Sequence, residues 1–466
     1  CKIIIKKKKK IVKYYMNLVE AQKFIGKKNF GKALDICLEI EKKNSNEDKV
    51  LFYLGLIYFE LNDYKKSVFY YEKFLKKAPN SVSALYNLAI AKQFVGQTEK
   101  AKEIYNRLIK KNKNNVRAYY GLYVLDQSYL SDEKLNYLDQ IKNNEKLSLY
   151  EKGIINFIFS KKEKNKKNYK QELEYLKKFH SKIFKSNYAY NISSQFYYNK
   201  IIGNYFKKFQ FIKKNNYNKI IEELEPIFII GLPRSGSTLI ESILTSSVEK
   251  INTCGESHVV NMAVLDQIGP KIYEKNFNIN SFKFEINLDI ISKTVLDRYF
   301  QFNKKNNYKF VDKSLENFFN VEIIKEIFPK AKFLHTYRKP LDSIISIYQS
   351  MLSDLSWTHT FEDIFSYVDN YLKVLNYLKD RDCNIMHINL EKFTDNSEEM
   401  SKKIFDFCNL TWSKDILQFY ERKDLFAKTL SFNQIRSKIL KYNNQKYQPY
   451  FDLLNDYKKK YDWLNN

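Results

Sequence analysis

Small and bulky residues return at a 34-residue period through the first quarter of the chain. Ala21, Gly55 and Ala89 fall in register as small residues, and so do Ala33, Ser67 and Ala101. Phe30, Tyr64 and Thr98 occupy equivalent positions, as do Cys37, Tyr71 and Tyr105, and Ile40, Phe74 and Leu108. Spacing inside each unit is helical, and a small residue at a fixed place lets a second helix approach while neighbouring rings fill the gap. Pro79 closes the second unit, whereas the third has Lys113 in register. Helix–turn–helix units of this kind bury their faces only by stacking, so an all-α solenoid is expected over residues 16–130. Residues 131–225 keep a helical period broken by Lys/Glu/Asn stretches such as Ser160–Lys167. They predict degenerate repeats, an exposed basic turn and linking helices. From residue 226 short apolar runs alternate with helical segments. Ile227–Ile230, Ile251–Thr253, Lys332–Thr336 and Asn384–Ile388 read as strands, and helices are expected at Thr238–Thr245, at Asn320–Ile327 and after Pro340. Such alternation predicts an α/β domain over residues 226–466 with a mostly parallel sheet, whose ligands bind at the carboxyl ends of the strands.

Composition narrows this picture. At 466 residues and 44% apolar content the chain is long and apolar enough for two or three folded domains. The net charge of +27 raises the question of nucleic acid, but the lysines are scattered along helical segments. No zinc-finger, basic-zipper or RNP pattern accompanies them, so the charge reads as solvated lysine faces and a field that draws in an anionic ligand, with no nucleic-acid partner. The five cysteines are widely spaced with no C-x-x-C, which argues against a disulfide framework and a zinc site and fits a reducing, cytoplasmic setting. No apolar run approaches the ~18 residues of a membrane span. Residues 1–15 form a basic extension with Lys6 to Lys10 in succession and no apolar segment of a signal peptide. Met16 is expected to be the true start, which mass spectrometry of the native N-terminus would check.

The chemistry begins at the end of the first apolar run. Gly231 to Thr238 has the spacing G-x-x-x-x-G-S-T, a glycine-bounded loop opening into a helix, which is the layout of a phosphate cradle. Ser237 stands where a Walker loop has its lysine, and Arg234 lies inside the loop. That suits a nucleotide with a single 5′-phosphate carrying a further group. The next strand ends in Cys254-Gly255-Glu256-Ser257-His258, and Val311-Asp312-Lys313-Ser314 precedes the third. After the third come Arg338 and, eight residues on, Ser346, a cation and a hydroxyl at a second helix N-terminus. Two anion sites, without a Walker lysine or an acidic magnesium ligand, point to a nucleotide with a 5′-phosphate bearing a leaving group and a separate 3′-phosphate. 3′-Phosphoadenosine 5′-phosphosulfate is such a molecule, and no metal is expected.

Two resemblances follow. Leu54-Gly55-Leu56-Ile57-Tyr58 with Tyr64, Ser67, Tyr71, Phe74 and Pro79 resembles the tetratricopeptide repeat, over about three repeats in residues 14–115. The solenoid is then either a concave surface for a protein or peptide partner or a brace for the enzyme. Residues 226–445 resemble the sulfotransferases, on Pro233-Arg234-Ser235-Gly236-Ser237-Thr238 and on the Arg338–Ser346 spacing. Cys254-Gly255-Glu256 and Phe328-Pro329-Lys330-Ala331-Lys332-Phe333 bring it closest to the tetratricopeptide-linked branch and, more distantly, to the protein-tyrosine sulfotransferases. The fold so implied is a multidomain chain, an all-α tetratricopeptide solenoid followed by a P-loop-like α/β sulfotransferase domain. The resemblance implies that the backbone of Ser235, Gly236, Ser237 and Thr238 holds the 5′-phosphosulfate, with the Ser237 and Thr238 hydroxyls. Arg234 would stabilise charge on the sulfonyl group, Glu256 would be the general base and Lys313 would assist the leaving group. Arg338 and Ser346 would hold the 3′-phosphate, and a late loop with Ser431 and Arg436 would close over the nucleotide. The family usually has Arg where Lys428 stands and Pro where Lys438 stands.

Each assignment has a plainer rival. Glu256 could be a surface carboxylate with His258 as base, Lys313 an exposed lysine, and Arg338 a structural ion-pair partner. His335 reads as core, while Trp357 and His359 lie where an acceptor could. The implied activity is transfer of a sulfonate group to an acceptor hydroxyl, of a protein tyrosine or a glycan. The alternatives are a nucleotide-binding scaffold without chemistry and, against the serine at position 237, an ATP-using P-loop enzyme.

Overall fold

The computed structural model describes residues 17–43, 47–206, 209–212, 222–274, 277–279, 282–302, 308–379, 381, 383–422 and 437–464. The expected extension 1–15 and Met16 lie outside these residues. The chain divides into two compact units, residues 1–141 with 300–304, and residues 142–299 with 305–466.

The first unit is helical. A helical stretch at residues 17–26 precedes helices Phe30–Lys43, Asp48–Glu60, Tyr64–Leu75, Val82–Phe94, Thr98–Lys111, Val116–Leu125 and Asp132–Ile141. The small residues of the repeat sit at helix crossings. A Cβ on Gly55 would lie 2.8 Å from the Tyr71 ring, and one on Gly121 would lie 2.4 Å from that of Tyr105. Ser67 Oγ donates to the Gly55 carbonyl at 2.8 Å, so the register serine ties one helix to its partner. Asp63, Ser81 and Asn115 cap the helices that follow them by accepting from Lys66, Ala84 and Ala118 N–H groups, which satisfies donors the helix leaves open.

The second unit opens with a hairpin of α1 (Leu149–Asn165) and α2 (Tyr169–Ser186). Ser148 and Glu151 form a capping box at its start. Gly153 lies under Ile183, whose Cδ1 is 2.8 Å from a Cβ placed there. This hairpin falls in the segment expected as degenerate repeats and linker, yet residues 142–225 group with the second unit. Within Ser160–Lys167, expected as an exposed basic turn, Asn165, Lys166 and Lys167 are exposed. Ser160 is buried, however, and Lys161 and Lys164 are half-buried.

The strands are β1 (Phe209–Ile212), β2 (Ile227–Gly231), β3 (Asn252–Thr253), β4 (Phe284–Asn287), β5 (Phe310–Asp312), β6 (Lys332–Tyr337) and β7 (Ile385–Asn389). β1 pairs with β4, and a five-stranded sheet runs β3-β5-β2-β6-β7, with every described pairing parallel. The four expected strands are present to within a residue or two. β5 was not expected; it inserts between β3 and β2 and is only three residues long. β2 is buried throughout, which is why it reads as an unbroken apolar run. Ile227 and Ile229 pack with Ile240, Leu244, Val311, Leu334 and Ile388 on one face. On the other, Phe228 stacks on Phe333 with ring centroids 5.5 Å apart.

The carboxyl ends of the strands lead into α3 (Ser237–Leu244) after β2, α4 (Val259–Ile272) after β3 and α5 (Pro340–Tyr348) after β6. Gly231 turns the chain out of β2 with φ 138°, and a Cβ there would stand 2.3 Å from the Thr336 carbonyl oxygen of β6. Gly231→Ala should therefore destabilise the second unit by at least the ~1–3 kcal/mol of a strained backbone, read as a lowered urea midpoint.

Candidate active site

The loop after β2 is shaped by backbone geometry that few residues accept. Arg234 has φ 69° and Gly236 φ 93°, and a Cβ on Gly236 would meet Leu390 Cδ1 at 2.5 Å. Ser235 Oγ donates to the Leu232 carbonyl at 2.7 Å and lies 2.8 Å from Thr336 Oγ1, pinning the loop to β6. Gly236 is the N-cap of α3, so Ser237 and Thr238 are its first residues and their N–H groups fall at the positive end of the helix. The Arg234 side chain is half-buried, and that burial pulls its guanidinium below the ordinary range; Tyr447 and Glu256 oppose the pull and Arg338 adds to it.

The second expected anion site lies at α5, which begins with Pro340 at its first turn. Arg338 donates from Nε to Ser343 Oγ at 3.3 Å, from Nη2 to the Asp342 carbonyl at 3.0 Å and from Nη1 to Tyr442 Oη at 3.3 Å. Tyr442 in turn donates to the Asp342 carboxylate at 2.5 Å. Ser346 is buried and hydrogen-bonds Tyr447. Burial alone would raise the Tyr447 phenol, but Arg338, Lys446 and hydrogen bonds from Ser346 and Arg338 bring it down to about 8. Tyr442 and Tyr447 thus join this site from the C-terminal segment.

Between the loop and β5 lies an ion triad. Lys313 Nζ is 2.8 Å from Glu256 Oε1 and 3.5 Å from Glu241 Oε2. Glu241 projects from α3 and also accepts from Thr253 Oγ1 at 2.6 Å. Lys313 is 1% exposed, so it is no surface lysine, while Glu256 is 45% exposed. Burial would lower Lys313, but the two carboxylates outweigh it and hold the ammonium above its usual range. Burial raises Glu241, with Lys313 and Thr253 restraining the shift.

Asp312 fixes the frame. It accepts from Ser257 Oγ at 2.5 Å, Tyr299 Oη at 2.8 Å, Ser314 N at 2.7 Å and Asn317 Nδ2 at 3.2 Å. The Gly255 carbonyl accepts from Lys313 N at 2.9 Å, so the strand ends bearing Glu256 and Lys313 are joined directly.

His258, the alternative base, caps α4 with φ 53°, and its Nδ1 is 2.5 Å from Glu316 Oε1. His335 lies in β6 between Tyr371 and His387, and burial pushes it down to about 3, in keeping with the core reading. Trp357 is buried and stacks on Tyr367 at 3.7 Å between centroids. His359 is buried with its Nδ1 3.1 Å from that of His180, so both residues read as candidate acceptor contacts are packed against protein. Ser431, Arg436 and Lys428 lie outside the described residues, and Lys438 is exposed.

Glu241, Tyr442 and Tyr447 were not among the expected site residues. Glu241 had a signal, four residues after Ser237 on the same helix and so on the same face. The others had none at sequence level. Among the described residues no group of three or more His, Cys, Asp or Glu is placed to hold a metal, and no helix is long and apolar enough to cross a membrane.

Comparison with known proteins matches residues 226–414 to the Sulfotransferase family and residues 48–81 and 70–103 each to the Tetratricopeptide repeat. A protein of Aquifex aeolicus (strain VF5) described as uncharacterized is 29% identical over 242 residues, 48% of this chain. The chain spans 30% of that relative's length. The sulfotransferase domain of the Synechococcus PCC 7002 olefin synthase is 19% identical with a TM-score of 0.31, covering 50% of this chain and 88% of its own. Sulfotransferase STF1 of Mycobacterium tuberculosis is 12% identical with a TM-score of 0.29, covering 68% and 91%.

Proposed function

Since the second half of this chain carries a sulfotransferase-family domain behind tetratricopeptide repeats, we propose that it transfers a sulfonate group from 3′-phosphoadenosine 5′-phosphosulfate to an acceptor hydroxyl. The observation that carries this reading is the Glu256–Lys313 pair, 2.8 Å apart, at the same carboxyl end of the parallel sheet as the Arg234 loop and the Arg338–Ser346 helix. In this reading the nucleotide's 5′ end lies on the Ser235–Thr238 backbone and its 3′-phosphate faces Arg338 and Ser346. Glu256 takes the proton of the acceptor hydroxyl as its oxygen attacks sulfur. The bond from sulfur to the bridging oxygen breaks, and adenosine 3′,5′-bisphosphate leaves with Lys313 beside that oxygen. Arg234 faces the charge that spreads over the sulfonyl oxygens. Catalysis is then positioning and charge stabilisation from donors already in place. Glu256 is half-exposed, which suits a base that must meet an incoming acceptor.

Arg234→Ala should lower turnover by ~10²–10³, as expected for losing one aimed donor, in a steady-state assay with labelled donor. The acceptor is proposed to be a protein tyrosine or a glycan hydroxyl, with the repeats as the surface that presents a protein or peptide partner. The buried thiols of Cys37, Cys254 and Cys408 fit a reducing, cytoplasmic setting. Incubating the protein with sulfur-labelled donor and a cell extract tests the reading. Label in protein, glycan, lipid or a small molecule would identify the acceptor class. No transfer, together with stabilisation by ATP–Mg²⁺ and none by adenosine 3′,5′-bisphosphate in thermal-shift measurements, would overturn it.

A further inference from the structure

The α1–α2 hairpin brings two lysines to the donor end of the second unit. Lys161 Nζ donates to the carbonyl of Gln349, the residue that ends α5, and Lys164 Nζ donates to Gln349 Oε1 at 2.5 Å. Each ammonium has three donors, and in each case the oxygen met is neutral. Glu172 and His180 face the pair from α2, Arg234 from the loop, and Lys446, Tyr447 and Tyr450 from the C-terminal segment. Glu172 is buried and accepts from Tyr450 Oη at 2.5 Å. The charges acting on one another here are Lys161, Lys164, Arg234, Lys446 and Arg338, with Glu172, Glu256 and Asp342 the carboxylates among them.

Capping the C-terminus of α5 explains one cation but not this excess. A helix end interacts favourably with a single nearby charge, by ~0.3–1 kcal/mol at an exposed site, whereas half-buried like charges repel. A ligand with several negative charges removes that repulsion.

We propose that Lys161 and Lys164 are donor-binding residues, which with Arg234, Arg338 and Lys446 form one site for a nucleotide phosphorylated at both its 3′ and 5′ positions. This rests on the donor reading given above. The hairpin is then part of the donor-binding machinery.

A consequence concerns protons. Burial, then Lys164, with Arg234 and Lys446 behind, pushes Lys161 down to about 7, Glu172 opposing. A bound polyanion favours the ammonium form, so the protein takes up a proton on binding near neutral pH. Tyr447, at about 8, adds uptake of its own. The contribution of Lys161 is therefore the difference between the wild type and a variant whose charge does not titrate.

The test is calorimetry of adenosine 3′,5′-bisphosphate at pH 7.5 in two buffers of different ionisation enthalpy. Wild type, Lys161→Arg, Lys161→Met and Lys161→Met/Lys164→Met are compared, with adenosine 5′-monophosphate as the single-phosphate control. Expected are wild-type affinity with smaller proton uptake for Lys161→Arg, and at least tenfold weaker binding for the double Met variant. The deficit should be smaller for the monophosphate. Wild-type affinity and proton uptake in both Met variants would overturn the proposal while leaving the donor reading standing. Wild-type protein that does not bind the bisphosphate would overturn both. Lys161→Arg keeps the charge, so it decides the proton question even where a Met variant fails to fold.

Discussion

Glu256→Gln is expected to lower turnover by ~10²–10⁴, the usual range for a lost general base, while adenosine 3′,5′-bisphosphate still binds by calorimetry. The amide keeps the shape of the side chain and can still accept from Lys313, but it cannot take the acceptor's proton. The fold should tolerate the change, because Lys313 keeps Glu241 as a counter-charge at 3.5 Å and the Gly255–Lys313 backbone bond is untouched. Turnover equal to wild type would end the assignment of Glu256 as base. His258, with its Nδ1 2.5 Å from Glu316, would then be the next group to replace. Turnover and bisphosphate binding lost together would instead point to a damaged loop.

What could be read before the structure follows from how strongly each feature is forced locally. β2 is buried along its whole length and must be apolar, and the loop after it needs Gly231 and Gly236 where φ is positive, so both stand out in the chain. The repeat was legible for a similar reason, since a Cβ on Gly55 would displace the Tyr71 ring and the register Ser67 bonds the Gly55 carbonyl. β5 was not legible, because three residues carry no alternation and its place between β3 and β2 is set by long-range pairing. Asp312 was hidden as a carboxylate in a chain full of charge, and the helical spacing that puts Glu241 on the Ser237 face does not say that it will be buried. Only the fold places Lys313, Ser257 and Tyr299 beside them. The hairpin shows the same limit more sharply. A run of lysines and glutamates reads as a solvated turn, yet Lys161 and Lys164 lie on the side of α1 that meets Gln349.

Lys313→Met should destabilise the second unit by ~3–5 kcal/mol at neutral pH, the range for removing one partner of a buried ion pair. Glu241 would then be a buried carboxylate without its cation, its pKa raised further above the unfolded value than it already is. The sign of the pH dependence follows. A carboxyl group with a raised folded pKa binds more protons in the native state, so its contribution to stability falls as pH rises above the unfolded carboxylate value. The deficit should accordingly shrink toward mildly acid pH, where Glu241 takes up a proton, and grow toward alkaline pH. Lys313→Met/Glu241→Gln removes both charges and should recover part of the lost stability, with Thr253 still able to donate to the amide oxygen. Turnover should not recover with it, because Glu256 still lacks the ammonium 2.8 Å away and, in the proposed mechanism, the leaving oxygen still lacks its cation. Urea midpoints across pH, set beside turnover for the same variants, separate the two roles. A double variant no more stable than Lys313→Met would show that packing of the lysine stem, not the stranded carboxylate, sets the loss. Turnover restored along with stability would remove Lys313 from the chemistry and leave it as scaffold.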